Sequence, residues 1–337
     1  MILEREELLD ALNAVMPGID KKDIIEQMTH FQFTGDNLVA YNDAIHIKYP
    51  FKTDFICSAP AKPLHKLISS LKGERVSLKK VKGTLKIKSK ETDSELNIVV
   101  ENDIDHILTK IEEDLAKQKY KPIPADFTEA AHLCSFSAAK DETQGTLTCV
   151  HIKGTTIEAG DRTRCSRYVM EKKMPEFLIR ASVPNELVKY NVTRYAVSES
   201  WVHFKTEEGA FFSCRRVKGD YLDYDKFFDD FKGVKVVLPE KLAEALNTLL
   251  AFSDEGWMVQ PYTEIIFKKD KLVCKVQSNV GKSTRQMKLD YNKKERSIRI
   301  NPYLLKQVLD KANTIFIGSR MAMFKHDKFK HIIALMT

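Results

Sequence analysis

A chain of 337 residues has room for two or three domains of ordinary size. Hydrophobic residues at 43% and charged residues at 30% give the balance of a soluble globular protein, and the lack of any run of about 18 apolar residues argues against a membrane span. The net charge of +7 is uneven: residues 1–120 carry 18 Lys/Arg against 20 Asp/Glu, residues 121–232 carry 17 of each, and residues 233–337 carry 19 against 10. A basic end and a slightly acidic end suit a polyanionic partner or head-to-tail self-association.

The chain opens MILEREELLD, acidic and amphipathic, unlike a signal peptide. The six cysteines (Cys57, Cys134, Cys149, Cys165, Cys214, Cys274) are scattered and form no C-x-x-C pair. That pattern predicts reduced, buried thiols in a cytoplasmic protein, without a zinc site.

In chain order, residues 6–17 predict an amphipathic helix, and 31–43 (FQFTGDNLVAYND) a hairpin with period-2 alternation. A short helix follows from Pro63, then a hairpin turning at Gly83. Residues 111–126, charged and bearing two prolines, read as a linker that suits an ordered crossover as well as a tether. The same series then recurs. A helix is predicted over 127–139, strand–turn–strand over 150–162, a helix from Pro184 and a hairpin turning at Gly209, with a second linker at 223–239. A third series has a helix at 239–252, a hairpin at 265–279 and a helix from Pro302. The hairpin anchors Phe33, Ile152 and Phe267 are spaced by 119 and 115 residues, and the three prolines by 121 and 118. Two element types in step predict a triplicated α+β unit, two helices on antiparallel sheet each. The expected domains are 1–120, 121–232 and 233–337. Proline is expected at the first helical position, where its missing N–H costs nothing.

Enzyme signatures fail one by one. VGKST (280–284) lacks the upstream glycine of a phosphate loop, since Val276 stands there. His326 and His331 lie outside any H-E-x-x-H pattern, and no G-x-S-x-G elbow occurs. Neither metal nor cofactor is expected, and a non-catalytic role is. The lysines of the Gly83 hairpin (79, 80, 82, 86, 88, 90) read as a solvated outer sheet face.

Basic residues also recur at or near the repeated helices: Lys21, Lys22, Lys66, Lys140, Lys189, Arg194, Lys306 and Lys311. Such a set could meet phosphates without reading bases, although Glu4, Glu6 and Glu7 oppose it in the first helix. Residues 91–105 hold six acidic residues and no basic one, and residues 282–299 hold seven basic and two acidic. They are either two unrelated solvated edges or an intersubunit seam. In the seam, Glu95, Leu96 and Ile98 of one subunit would meet Lys288, Lys293, Lys294 and Arg296 of the next.

The stretch FSAAKDETQGTLTCVHIKG (136–154) resembles the middle domain of bacterial DNA polymerase III beta subunits, the sliding clamps. IEAGDRTRCSRYVM (157–170) is similar to that family's A-T-D-x-x-R-L segment, with Gly160 for Thr and Cys165 for Leu. RRVKGDYLDYDKFF (215–228) resembles its V-x-G-x-F-P-D-Y run, with Leu222 for Pro. The resemblance implies a homodimeric ring of six domains around double-stranded DNA, bound without sequence preference, with helices lining the hole. It implies a processivity factor that holds a DNA polymerase and a clamp loader through short linear peptides. The implied peptide groove is Leu147, Asp161, Thr163, Arg164, Cys165, Thr248, Leu249, Ile333, Leu335 and Met336, and the implied DNA contacts include Lys140 and Gln144. The basic balance departs from the family and suits a phage or other mobile-element member. The competing expectation is a clamp-fold scaffold that binds partners without encircling DNA.

Overall fold

The computed structural model describes residues 1–20, 25–99, 104–252, 262–279 and 281–336. The chain divides into two units, Met1–Thr128 with Ser182–Val217, and Glu129–Ala181 with Lys218–Thr337. Among the described residues no helix is long and apolar enough to cross a membrane.

The first unit holds α1 (Arg5–Val15), α2 (Ala61–Ser70), α3 (Asp105–Lys117) and α5 (Ser182–Leu187), while α4 (Phe127–Ser135) spans the division. α1 buries Leu8, Ala11, Leu12 and Val15, and α2 buries Ala61, Leu64 and Ile68. These stripes at helical spacing hold the two helices together and onto the strands between them. Strands Ile56–Pro60, His30–Thr34, Asn37–Tyr41 and Ile45–Pro50 form an antiparallel sheet in that order. It continues through Phe211–Val217, Trp201–Thr206 and Val192–Val197 to Lys121–Pro122. A separate sheet runs Ile2–Glu4, Arg75–Val81, Thr84–Lys88, Asp93–Asn97. In its central strands Val76, Leu78, Leu85 and Ile87 point inward while Lys79 and Lys88 are exposed, the alternation read from sequence.

The second unit holds α6 (Asp225–Asp229), α7 (Leu242–Leu250) and α8 (Pro302–Leu309). One sheet runs Val234–Val237, Thr314–Ile317, Met321–His326, Phe329–Ala334, Arg164–Arg180, Cys149–Gly160. The other runs Lys282–Lys288, Lys271–Gln277, Thr263–Lys268, Arg296–Ile300. Tight turns sit where a residue accepts positive φ, at Lys82 (53°), Asp270 (59°) and Asp327 (47°).

The threefold repeat is present in the strand connectivity. His30–Thr34 pairs with Asn37–Tyr41 and with the strand before α2. Thr263–Lys268 pairs likewise with Lys271–Gln277 and with the strand before α8. In the middle copy, 149–152 registers with 177–180, just before α5, and 156–160 registers with 165–169. Where strand–turn–strand was expected over 150–162, residues 149–160 form one long strand, whose register breaks on both sides of Gly154, at φ +60°. After the second helix, each copy adds a three-stranded antiparallel meander: 75–97, 192–217 and 314–334.

Of the two linkers, expected as tethers or ordered crossovers, both are ordered, and the expectation about proline changes. Residues 111–126 are no bare linker: α3 runs to Lys117 and buries Leu108, Ile111 and Leu115 against Met28, Val39, Tyr41 and Trp201. Residues 223–239 likewise contain α6 and the strand Val234–Val237. Proline opens only α8, where the Asn301 side chain caps the N–H groups of Tyr303 and Leu304. In α2 and α5 the proline is the third residue. That position still lies in the first turn, where the N–H has no intrahelical acceptor.

Candidate partner groove and nucleic-acid interface

The turn before the strand Arg164–Arg180 is built on one carboxylate. Asp161 Oδ1 accepts from the backbone N–H of Thr163 (2.7 Å) and Arg164 (3.0 Å) and from the Thr163 hydroxyl (2.7 Å). Its Oδ2 accepts from Arg164 Nε at 3.1 Å. This Asx-type turn fixes the direction of the Arg164 side chain. Arg164 is buried, donates to the Gln307 side chain on α8, and lies 5.5 Å from the Phe136 ring centroid. Burial lowers its pKa, Asp161 opposes that shift, and the guanidinium remains charged.

Phe136 meets a second cation and an aromatic ring. Lys311 Nζ lies 4.9 Å from its centroid, and the His331 ring stacks at 5.0 Å. His331 Nδ1 meets Ser166 Oγ at 2.8 Å and Ser137 Oγ at 3.3 Å, with the two hydroxyls 2.6 Å apart. Burial, reinforced by Arg164 and Lys311, pushes the His331 pKa well below its ordinary value. The ring is neutral and wholly enclosed, so this serine–histidine cluster braces the sheet and has no route to a substrate.

Of the implied groove residues, Asp161, Thr163, Arg164 and Ile333 are brought together. Arg164 registers with Ile333, and Ala334 N–H donates to Thr163 O at 2.8 Å. Ile333 and Cys165 are both buried but on opposite faces of the sheet, since Ile333 registers with Arg164 and Cys165 with Ile332. Cys165 packs with Tyr224, Phe228, Met323 and Ile332, and burial pushes its thiol pKa far up. Leu335 and Met336 are half-buried, tied through their N–H groups to Arg320 O and Arg299 O at 2.8 Å each. Leu147 is half-buried in the 3-10 turn Glu142–Thr148, its carbonyl accepting from Ala139 N–H. Thr248 and Leu249 lie on α7, which packs on α8 and the strand Lys282–Lys288. Leu249 is fully buried, and Thr248 accepts from Arg285 at 3.5 Å. The sequence reading did not single out Phe136, Gln307, Tyr224 or Phe228 as groove neighbours, because their partners lie far away along the chain.

The basic set divides. Lys66 on α2 and Lys306 on α8 are exposed. Lys189 follows α5 and pairs with Glu186 at 2.7 Å. Arg194 is exposed but stands on the strand Val192–Val197, not on a helix. Lys311 is half-buried over Phe136. Lys140 is exposed just past α4, Gln144 is half-buried, and Asp141 spends its carboxylate on Thr143 N–H. Lys21 and Lys22 lie outside the described residues.

In the proposed seam, Glu95 is spent on Lys86 (2.7 Å) and Asp93 on Lys88 (2.7 Å), within their own sheet. Leu96 lies half-buried on that strand, and Ile98 is buried. Lys288 is exposed at the end of the strand Lys282–Lys288, and Lys293 and Lys294 are exposed in the connection after it. Arg296 opens the next strand.

No protein-family model matches the sequence, and no curated protein matches it. Solved structures match along the whole chain. A DNA polymerase sliding clamp from Pseudomonas aeruginosa, solved with a ligand, superposes with a TM-score of 0.82 at 15% identity, covering 100% of this chain and 99% of its own. The beta subunit from DNA polymerase of Streptococcus pyogenes gives 0.79 at 18% identity, covering 99% of each chain. A sliding clamp (DNA polymerase III subunit beta) from Bartonella birtlesii, bound to griselimycin, gives 0.82 at 13%, covering 100% of this chain and 99% of its own. The chain therefore has the fold of the bacterial sliding clamps from end to end.

Proposed function

We propose that this chain is a non-catalytic DNA sliding clamp subunit, with domains 1–120, 121–232 and 233–337. Two copies close head to tail into a ring that holds duplex DNA by its phosphates and tethers a polymerase and a clamp loader. The carrying observation is how the copies pair. The third strand of copy one (Ile45–Pro50) pairs with the last meander strand of copy two (Phe211–Val217). The third strand of copy two pairs with the last meander strand of copy three, Phe329–Ala334. The two equivalents left over are Lys282–Lys288 of copy three and Asp93–Asn97 of copy one. Each is the end strand of its sheet, and an open strand edge invites another chain. A second subunit, joined at both, would continue the series and satisfy both edges.

The full-length likeness to clamp structures supports this reading, as do the exposed lysines on α2 and α8. The Asp161–Arg164 turn and the C-terminal strand would form the peptide site. Sedimentation velocity at micromolar concentration is expected to give a species of about twice 38.7 kDa. A stable monomer there contradicts the closed ring, and peptide binding without self-association would leave the scaffold reading.

A further inference from the structure

Six residues past the hairpin anchors Phe33, Ile152 and Phe267 stand Val39, Glu158 and Val273. Directly opposite them on the neighbouring strand stand Lys48, Arg167 and Gln286. These pairs mark one face of the sheet in each copy. In copy one that face lies under α3, which packs Leu108, Ile111 and Leu115 against Val39 and Tyr41. Lys48 holds Glu112 of α3 at 2.5 Å. In copy two it lies under the segment around α6, where Arg167 holds Asp225 and Asp229. Twice, then, a short acidic helix covers this face, and a cation of the sheet grips its carboxylates.

In copy three no helix among the described residues supplies such a cover, and the face is basic. The four strands turn six cations outward, Lys268, Lys271, Lys275, Lys282, Lys288 and Arg299, against one carboxylate, Glu264. Lys271 stands directly opposite Lys268 on one side and Lys288 on the other. Like charges so placed cost stability. Glu295 offsets Lys268 at 3.1 Å, while Lys271 and Lys288 have no ion-pair partner among the described residues. By contrast, Lys86 and Lys88 in the meander of copy one are answered across the ladder by Glu95 and Asp93. Ile266 and Val273 stand at the centre of the basic face, 7% and 6% exposed, between lysine stems that can lie over them.

We propose that this face of copy three is a docking surface for an acidic amphipathic helix of a partner protein. The helix would set apolar side chains over Ile266 and Val273 and carboxylates against Lys271 and Lys275, which stand two residues either side of Val273. The chemistry of the occupant follows from the two covered faces of the same chain, where the same register position meets an acidic helix. The four strands turn no aromatic ring outward for bases to stack on, so the face is not built as a single-strand platform. It belongs to a different sheet from the Asp161–Arg164 turn, so it would take a contact additional to the peptide groove.

The probe is a labelled peptide of sequence DHILTKIEEDLAK, copying α3, titrated by fluorescence anisotropy into the full-length protein at low salt. On copy one the tethered α3 excludes it by its high effective concentration. It is expected to bind, and to bind the Lys271→Glu/Lys275→Glu variant about tenfold more weakly. Both side chains are exposed. Lys271→Gln/Lys275→Gln should lose a smaller factor and serves if the charge-reversed chain unfolds. No binding, or equal affinity for unaltered and altered chains, overturns the proposal. A scrambled peptide of the same composition is the second arm and should bind more weakly. Equal binding would mean that the face reads charge alone, which also overturns an amphipathic helix as its occupant. So would duplex DNA that binds through Lys271 and Lys275 while the peptide stays free.

Discussion

His46 is fully buried, and neither ring nitrogen has a partner among the described residues. Burial, with His203 and Lys48 nearby, lowers its pKa from 6.5 to about 3. His203, two strands away, is held by Ser213 (2.8 Å) and Asp114 (3.2 Å). Burial lowers its pKa, and Asp114 partly opposes that. For Asp114, burial works against ionisation, but hydrogen bonds from Ser198 and His203 outweigh it and lower the carboxyl pKa. All three shifts act in one direction. Between pH 6.5 and about 3 the unfolded chain protonates position 46 while the folded chain does not, so stability is full above that window and falls as pH drops through it. The slope for this histidine is about 1.4 kcal/mol per pH unit. Urea midpoints across pH 4–7 should show it, and His46→Leu should flatten the profile; an unchanged slope in that variant would place the acid lability elsewhere. A second prediction concerns Cys165. Leucine there overpacks against Tyr224 and should cost about 1–3 kcal/mol in urea unfolding, whereas a stabilised variant would mean the pocket has spare room. The sequence marks Gly160 and Cys165 as departures. What packs beside them is visible only in space, because Tyr224 lies about 60 residues further along the chain.

Elements were legible where the apolar pattern was local. The hairpins at Gly83 and Gly209 stand where alternation and turn residues place them. α3 escaped because its stripe, Leu108, Ile111 and Leu115, was divided between an acidic segment and a supposed linker. Charge was the louder signal there and period the truer one. Glu95 and Asp93 already have lysine partners, so in the proposed ring backbone pairing between the open strand edges would carry the contact and charge would only steer it. Lys293→Glu with Lys294→Glu should therefore weaken self-association a few-fold at low salt and hardly at all at high salt. Sedimentation equilibrium at two ionic strengths measures this. A loss independent of salt would mean that the loop packs across the seam.

For the whole molecule, triplication was legible because the hairpin anchors and the prolines in the first turn of each second helix keep one period. The pairing of strands between successive copies was not, since a ladder joining residues about 165 apart leaves no local trace. That pairing is why the two units cut across the repeats: each unit contains a sheet shared by two copies. It also leaves the two unmatched strands on which the proposed ring depends. If exposed lysines on the repeated helices face duplex DNA, Lys66→Glu with Lys306→Glu should weaken binding alike across sequences and reduce the salt slope. Sequence-dependent loss would contradict phosphate contact.

The most direct test of the ring is topological. The protein is incubated at low salt with bead-bound nicked circular duplex, washed at high salt, and the circle is then cut once. A closed clamp stays through the wash and leaves when the DNA is cut. Protein washed off the intact circle, or held equally on cut and uncut DNA, would contradict encirclement.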